Sequence, residues 1–571
     1  MGTSDRKPWL SATVLNQAYL NQCHDSLTND LQLTVDIETP TGYIRASDRN
    51  KYVGGIFYEA LLNFPPIYRT IGEWLSTVLE FSDLKLELSN VDERFNDLLP
   101  GGNNYGGWVG RTVQVKLGVR NVESTYSVIF DGQITEQAGF GRTTETIVII
   151  ARDKFDTTNK NFPTTVLTES TFPNISDAVK NTVSPLIYGD WTVNVEPNSA
   201  SVPTIIVNGA DPDVNGDSSN TNNLQLVISE NDLTFFDTTQ VYLVRGDQNI
   251  LMDSGDITNV GVGNRTFEII QNNNTVVDPD TGDKFLFETA DDFYVKVKGK
   301  DLGSYDDNAI EQARDILENY GGLSPSDFHS SWDYFRDKNS PAVSAIANIK
   351  SRIWIQEPEP SLTYVLSLLE QVRLEVFVNR DLEFEISALQ FDEFDDNPSF
   401  TLKNWDIEYK SLKINLDERN NFNRTKGIFN FLPNRGEELN TTGFFRNQDA
   451  IDISNGKIIE KGLVFPNLYV LSDVENQTKE ILKMSSSQIE TISFSATWRS
   501  MLLDISEFVS MDINIESINL DNVPCLIRSI GYNPIGLKIE LKLWSMLTLP
   551  FGSYAGTPNA IGGENANITE E

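Results

Sequence analysis

Apolar and polar residues alternate along most of this chain, and that two-residue period restricts it to a mainly β fold. Leu33, Val35 and Ile37 alternate within residues 31–47 before a Pro-Thr-Gly turn at 40–42. Lys85–Leu88, Thr112–Gly118 and Tyr126–Ile134 repeat the pattern. The run Thr146–Ala151 is continuously apolar and predicts a strand buried on both faces. One helix is expected among them, over Tyr68–Leu79, with Ile71, Trp74, Leu75 and Val78 on one face. Several strands and one helix in about 120 residues predict a closed or nearly closed β-barrel.

With 571 residues, the chain has room for three or four domains. Residues 1–32 are read as an N-terminal arm, and 33–165 as the first β-barrel domain. From 166 to 300 run a connector and an inserted small β domain, the insert over 195–291. It is rich in Asn, Asp, Thr and Gly yet keeps β-runs at Leu224–Ile228 and Thr239–Val244, with a polar loop at Asn208–Asn223. The strand from Asp292 then returns the chain to the main body. A helical connector follows over 301–373. Its first helix spans Asp307–Tyr320, with Asn308 and Glu311 spaced as a capping box and Gly321 as the stop. Ser340 and Pro341 open a second helix reaching Ile353, and Ser361 caps a third. Residues 374–550 read as a second β-barrel domain, starting with a hairpin over Leu374–Ile386 and closing on the alternating run Leu537–Trp544. The polar, Gly/Asn-rich tail, 551–571, is expected to be disordered. The fold class is thus mainly β with some α: two barrels, an inserted β domain and a helical connector.

Charge and rare residues narrow the function. Lys plus Arg number 45 against 82 Asp plus Glu, a net charge of −37, which argues against general binding to nucleic acid or anionic membranes. No run of 18 apolar residues exists, and the N-terminus lacks an apolar leader, so neither a membrane span nor export is expected. Cys23 and Cys525 cannot form a disulfide framework, and two histidines, His24 and His329, leave little for metal binding or a Ser-His-Asp triad. Asp211–Asp217 begins like a calcium loop, but position twelve is Asn222 where a bidentate Glu is wanted; it reads as a solvated turn. Asp278–Asp283 reads as a hairpin turn. Glu357 and Glu359, flanking Pro358, could supply a glycosidase carboxylate pair but fit a rigid extended connector better. The glycines 101, 102, 106 and 107 match no phosphate loop. Trp498 and Trp544 lie in β-runs and read as core. No catalytic, cofactor-binding or metal residue is therefore assigned, and binding or assembly becomes the expected role.

Several stretches together resemble the baseplate or tail-tip hub proteins of tailed bacteriophages. They are Val35–Thr39, Tyr52–Ala60, Leu86–Phe95, Gly110–Gly118 and Ile129–Gly132, in the order of a first tail-tube-type barrel. Phe172–Ile175, Pro185–Gly189, Val295–Lys300, Leu323–Phe328, Thr497–Asp512 and Arg528–Gly536 are similar to later hub segments. The region 195–291 matches least. The resemblance implies a homotrimer, its two barrels per subunit making a pseudo-sixfold ring between tail tube and central spike. It also implies a virion location in the tail and baseplate. The implied partners are the chain itself, a tail tube or distal tail protein, a spike, baseplate wedge proteins and a tape measure protein. No cofactor is implied. An acidic ring lumen would let DNA pass without sticking. The alternatives are a glycan-binding or glycan-degrading tail component, and a peripheral baseplate adaptor.

Overall fold

A computed structural model describes residues 31–570 except for 72–82, 209–222, 271–290, 389–397, 546–567 and a number of shorter stretches. The fold is mainly β with some α. A nine-stranded sheet runs, edge to edge, Lys51–Val53, Ile56–Ala60, Gly42–Ser47, Leu31–Thr39, Thr112–Val119, Val122–Ala138, Thr146–Asp153, Asp83–Ser89 and Leu62–Asn63. The period-two reading holds in detail: Val35 faces Val115 and Ala46, and Ile149 faces Leu86, all on the buried face. The apolar run at 146–151 departs from expectation. Ile147, Ile149 and Ala151 are buried while Val148 and Ile150 are only partly covered, so the strand alternates after all.

The second large sheet comes from the other end of the chain. Its order is Phe400–Lys403, Phe508–Ile515, Ile518–Asn533, Lys538–Ser545, Ile489–Ala496 and Lys413–Asp417. A short strand, Ile67–Thr70, joins it beside Ile518–Asn533, with Thr70 opposite Ser529 and Ile67 opposite Tyr532. The helix expected over Tyr68–Leu79 therefore begins as a strand; residues 72–79 lie outside the described ones. Arg69 explains the location. Its buried guanidinium meets the Asp504 carboxylate at 3.2 Å and donates to the Tyr532 hydroxyl at 2.8 Å, both from the C-terminal half. The two sheets share one apolar core, in which Leu33, Val115 and Ile149 pack with Phe494, Val509 and Leu543.

Neither sheet closes into a barrel among the described residues. The first ends on the hairpin Lys51–Ala60 at one edge and on Leu62–Asn63 at the other, and the chain that could bridge them crosses to the second sheet at Ile67. The stretch 424–465, within the expected second barrel, builds a separate five-stranded sheet. Its strands are Glu437–Thr441, Arg424–Leu432, Phe445–Asn447, Ile568–Glu570 and Glu460–Phe465. The C-terminal tail thus ends in a strand, with Asn447 opposite Ile568, where disorder was expected. A helix, Leu471–Ser485, packs on this sheet and had not been expected either. Its signal was present: Val474, Thr478, Ile481, Leu482 and Ser485 recur at helical spacing on the buried face.

The helical connector is shorter and differently capped than expected. The helix Ala309–Ile316 is capped by the Asn308 side chain, which accepts from the backbone N–H of Ile310 and Glu311. Glu311 does not reach back; its carboxylate accepts from Arg336 at 2.6 Å. A π-turn, Leu317–Gly321, follows, and the left-handed stop is Gly322 at φ +80°. Only one turn, Ser344–Ala347, forms after Pro341, and Ile353–Ile355 is a strand paired with Leu186–Tyr188. Ser361 opens the helix Ser361–Gln371 with its side chain fully buried, as the first helical residue, and the cap position falls to Pro360. The hairpin Leu374–Val378 and Phe384–Ala388 pairs as read, Val378 opposite Phe384.

The region around the insert forms two four-stranded sheets around a common core. Asp292–Lys298 is the second strand of one of them, between Val202–Pro203 and Phe235–Arg245, so it completes this unit before the chain leaves it. Alternation in that strand buries Phe293, Val295 and Val297 against Val241 and Leu243.

Candidate interaction surface

The residues first considered for chemistry scatter. His329 sits half-way to the core, its Nδ1 accepting from the Ser331 backbone N–H at 3.2 Å and lying 3.9 Å from the Glu385 carboxylate. Cys525 is buried, and burial drives its thiol far above the ordinary range. Glu359 and Pro360 form a short bridge-like strand against Asn161–Phe162, in keeping with an extended connector. Gly102 abuts the Asp97 carbonyl so closely that a Cβ would meet it at 2.4 Å, which gives that loop glycine a packing role. Cys23, His24, Asp211–Asp217, Asn222, Asp278–Asp283 and Trp498 lie outside the described residues. Among the described residues, no group of three His, Cys, Asp or Glu side chains is arranged to hold a metal ion, and no helix is long and apolar enough to cross a membrane.

What the molecule does present is an apolar hairpin at the edge of the first sheet, where Lys51–Val53 has no further strand neighbour among the described residues. Val53 and Ile56 face each other across Gly54 and Gly55, whose φ values of +58° and +77° suit a two-residue turn with both central positions left-handed. Lys51 opposes Tyr58, and Tyr52 opposes Phe57. Alternation turns Tyr58 inward, where its hydroxyl donates to Asp36 at 3.2 Å; burial, reinforced by that carboxylate, pushes the phenol up to about 12. Lys51 is also largely covered, 3.1 Å from Asp48, and burial lowers its ammonium to about 8 in spite of that partner. The outward residues are aromatic. Tyr52 is 71% exposed and Phe57 44%, their rings 5.0 Å apart, and Tyr43 on the neighbouring strand is 59% exposed. Isolated exposed apolar residues need no explanation, but Tyr52 and Phe57 pair as a small contact patch on one face of an edge hairpin, while Ile56, on the same side as Tyr58, stands with Tyr43 at the adjacent recess.

Beside the patch lies a recess of about 410 Å³ lined by Asp36, Tyr43, Arg45, Ile56, Thr112, Gln114 and Asp131. Asp36 accepts from Lys116 at 2.8 Å, with Arg45 at 3.8 Å, and the lining is mostly polar, with Tyr43 and Ile56 as its apolar members. Such a recess suits a flat side chain with a polar edge. The alternation arguments placed these strands but not the patch, because periodicity says which face is buried and not which edge lacks a partner. The signal that could have found it was Gly54-Gly55 between two short apolar runs.

A further exposed aromatic stands on the other large sheet. Trp405, 63% exposed, follows the edge strand Phe400–Lys403, with the Lys403 ammonium 5.3 Å from its ring. Its neighbour Asn404 bonds both ways with the Asn514 backbone, at 2.8 and 3.1 Å, which fixes the turn against the adjacent strand.

No protein-family model matches this sequence, and no curated protein matches it. Solved structures do. A tail protein from Neisseria meningitidis MC58 is similar at TM-score 0.40 and 10% identity, over 90% of this chain and 97% of that one. The 43 kDa tail protein of prophage MuSo2 from Shewanella oneidensis is similar at TM-score 0.37 and 10% identity, over 90% and 98%. A Francisella PdpA–VgrG complex is similar at TM-score 0.26 and 10% identity, over 96% of this chain and 64% of that one. Likeness this distant leaves the functional reading to the residues and geometry of the chain itself.

Proposed function

We propose that this chain is a structural, non-enzymatic hub of a phage-type tail: a homotrimer whose six sheet units form a ring joining the tail tube to a central spike. The observation that carries the proposal is the pairing of two large, mostly antiparallel sheets, one from each end of the chain, on one shared core. Two such units per subunit give six around a threefold axis, the count a ring needs to sit on a sixfold tube. The hub-like order of sequence segments supports the same reading, and closure of each unit into a barrel would be completed in the ring. On this reading the virion tail is its location, with distal tail, spike, baseplate wedge and tape measure proteins as neighbours. The test is the molar mass of the purified chain by light scattering after size exclusion. A mass near three times 64.1 kDa is expected, with a ring of threefold symmetry by electron microscopy; a stable assembly of any other symmetry would overturn the hub.

A further inference from the structure

Strand register assembles the recess beside the hairpin. Alternation puts Val35, Ile37, Val113 and Val115 on the core side of the first sheet and the residues between them on its opposite face. On that face Arg45 stands opposite Asp36, Asp36 opposite Gln114, and Gln114 opposite Asp131, so polar side chains form one row across four strands. At about 4.8 Å between strands the row is roughly 14 Å long. Tyr43 and Thr112 belong to the next row, Tyr43 opposite Glu38 and the Thr112 hydroxyl donating to Glu38 at 2.8 Å. The hairpin lies over this face. Its Tyr58 hydroxyl reaches Asp36, and Ile56, on the same side as Tyr58, becomes a wall of the recess.

Three features narrow the occupant. The charges cancel, with Arg45 and the Lys116 that holds Asp36 set against Asp36 and Asp131, so the recess offers no net attraction to an ion, in a chain of net charge −37. The polar groups do not satisfy one another. Among the described residues, the side chains of Arg45 and Gln114 have no hydrogen-bond partner, and Asp36 Oδ1 has no donor, with Arg45 Nε 3.8 Å away. Open donors, an open acceptor and an amide that is both suit hydroxyl groups, each of which donates and accepts. The mostly polar lining disfavours an apolar ligand, while Tyr43, 59% exposed, and Ile56 supply one apolar wall. A pyranose ring combines these properties: neutral, with a C–H face and an edge of hydroxyls.

We propose that this recess is a binding site for a neutral pyranose sugar. One ring lays its C–H face on Tyr43 and Ile56, and its hydroxyls bridge Arg45 and Asp36. A second, linked ring lies along the row over Gln114 and Asp131. The volume of about 410 Å³ falls within the roughly 300–1,000 Å³ of small-ligand clefts, and the row is longer than a single six-membered ring. The site lies on the outer face of one sheet and does not rest on the hub reading.

The test is saturation-transfer NMR with titration calorimetry on the full chain. The probes are maltose, lactose and diacetylchitobiose, each free and each coupled to a soluble polyacrylamide carrier that stands for a surface glycan. Saturable binding of at least one free disaccharide below about 50 mM is expected, with the strongest transfer to the C–H protons of one ring. Tyr43→Ala and Gln114→Ala, both on the outer face, should each weaken it about fivefold or more. Trp405→Ala, on the other large sheet, should change it by less than about twofold, and circular dichroism checks that each variant folds. Tighter binding per sugar to the carrier assigns a surface glycan as the source, and equal binding assigns a free sugar; either supports the site. Absence of saturable binding by every one of these sugars, or binding that folded Tyr43→Ala and Gln114→Ala leave unchanged, overturns it. Saturation by acetyl-arginine amide or acetyl-tyrosine amide and by no sugar also overturns it, and gives the recess to a partner's side chain. A light-scattering mass other than three chains removes the hub and leaves this site standing.

Discussion

Replacing Arg352 with methionine should loosen the junction where three parts of the chain meet. Arg352 is buried on the strand side of the helical connector, its guanidinium 4.3 Å from the Trp191 ring and 4.8 Å from the Tyr469 ring. It donates to the backbone carbonyls of Asp190 at 3.1 Å and Val193 at 2.9 Å, and to the Asn430 side-chain oxygen. These partners come from the entrance to the insert and from the five-stranded sheet, so one side chain ties both to the connector. Its hydrogen-bond partners are amide oxygens rather than carboxylates, and burial lowers the guanidinium to about 10. The magnitude can be worked from the parts. Two desolvated ring contacts contribute about 1–2 kcal/mol each. Leaving two buried carbonyls and one amide oxygen without donors costs about 1–3 kcal/mol each. Against this, methionine removes the several kcal/mol needed to hold a cation away from water. The net expected loss is about 3 kcal/mol, roughly a hundredfold increase in local opening. Hydrogen exchange at residues 188–195 and 467–470 measures that opening directly. Arg352→Lys, which keeps the charge but loses the planar stack, should fall between the two. Exchange in Arg352→Met within threefold of the parent would show that apolar packing alone holds the junction.

Two further outcomes are expected. Arg528, 2% exposed, donates to both Glu375 oxygens at 2.6 and 2.8 Å; Glu375→Leu should destabilise by about 3–5 kcal/mol, whereas Glu375→Leu with Arg528→Met should recover most of that loss, as read by urea unfolding. Lys51 binds its proton less tightly folded (about 8) than at its ordinary 10.5, so its cost is complete below pH 8 and disappears as pH rises to 10.5. Lys51→Met should accordingly be more stable than the parent by up to roughly 3 kcal/mol at pH 7, with the two melting temperatures converging near pH 10.5.

The residue pattern carried the strands far better than their partners. Val35, Val115 and Ile149 could be placed on a buried face because alternation is a local property. The helix Leu471–Ser485 was overlooked because β-runs surround it and its apolar stripe is diluted by Gln477 and Thr478, both buried. The strand at Ile67 was misread because its placement depends on Arg69 meeting Asp504, more than 400 positions away. Sheet closure was beyond reach for the same reason: it depends on which edges meet, and nothing in a single run records that. The contact patch combined both difficulties, since Tyr52 and Phe57 alternate as strand residues do, and which face of an edge hairpin stays open is set by tertiary packing.

The crossing of Ile67–Thr70 into the second sheet sets a timetable for synthesis. Tyr68 donates to Glu540 across 472 positions, and Thr70 pairs with Ser529. A ribosome that has made the first sheet's strands must still add nearly four hundred residues before that segment can find its place. Until then Ile67, which will be buried, stays without its cover, and the first sheet waits half-dressed beside the nascent chain. A strand made late, Ile518–Asn533, is therefore the one that seats an early segment, and a stop codon before it would spoil the beginning of the protein as surely as its end.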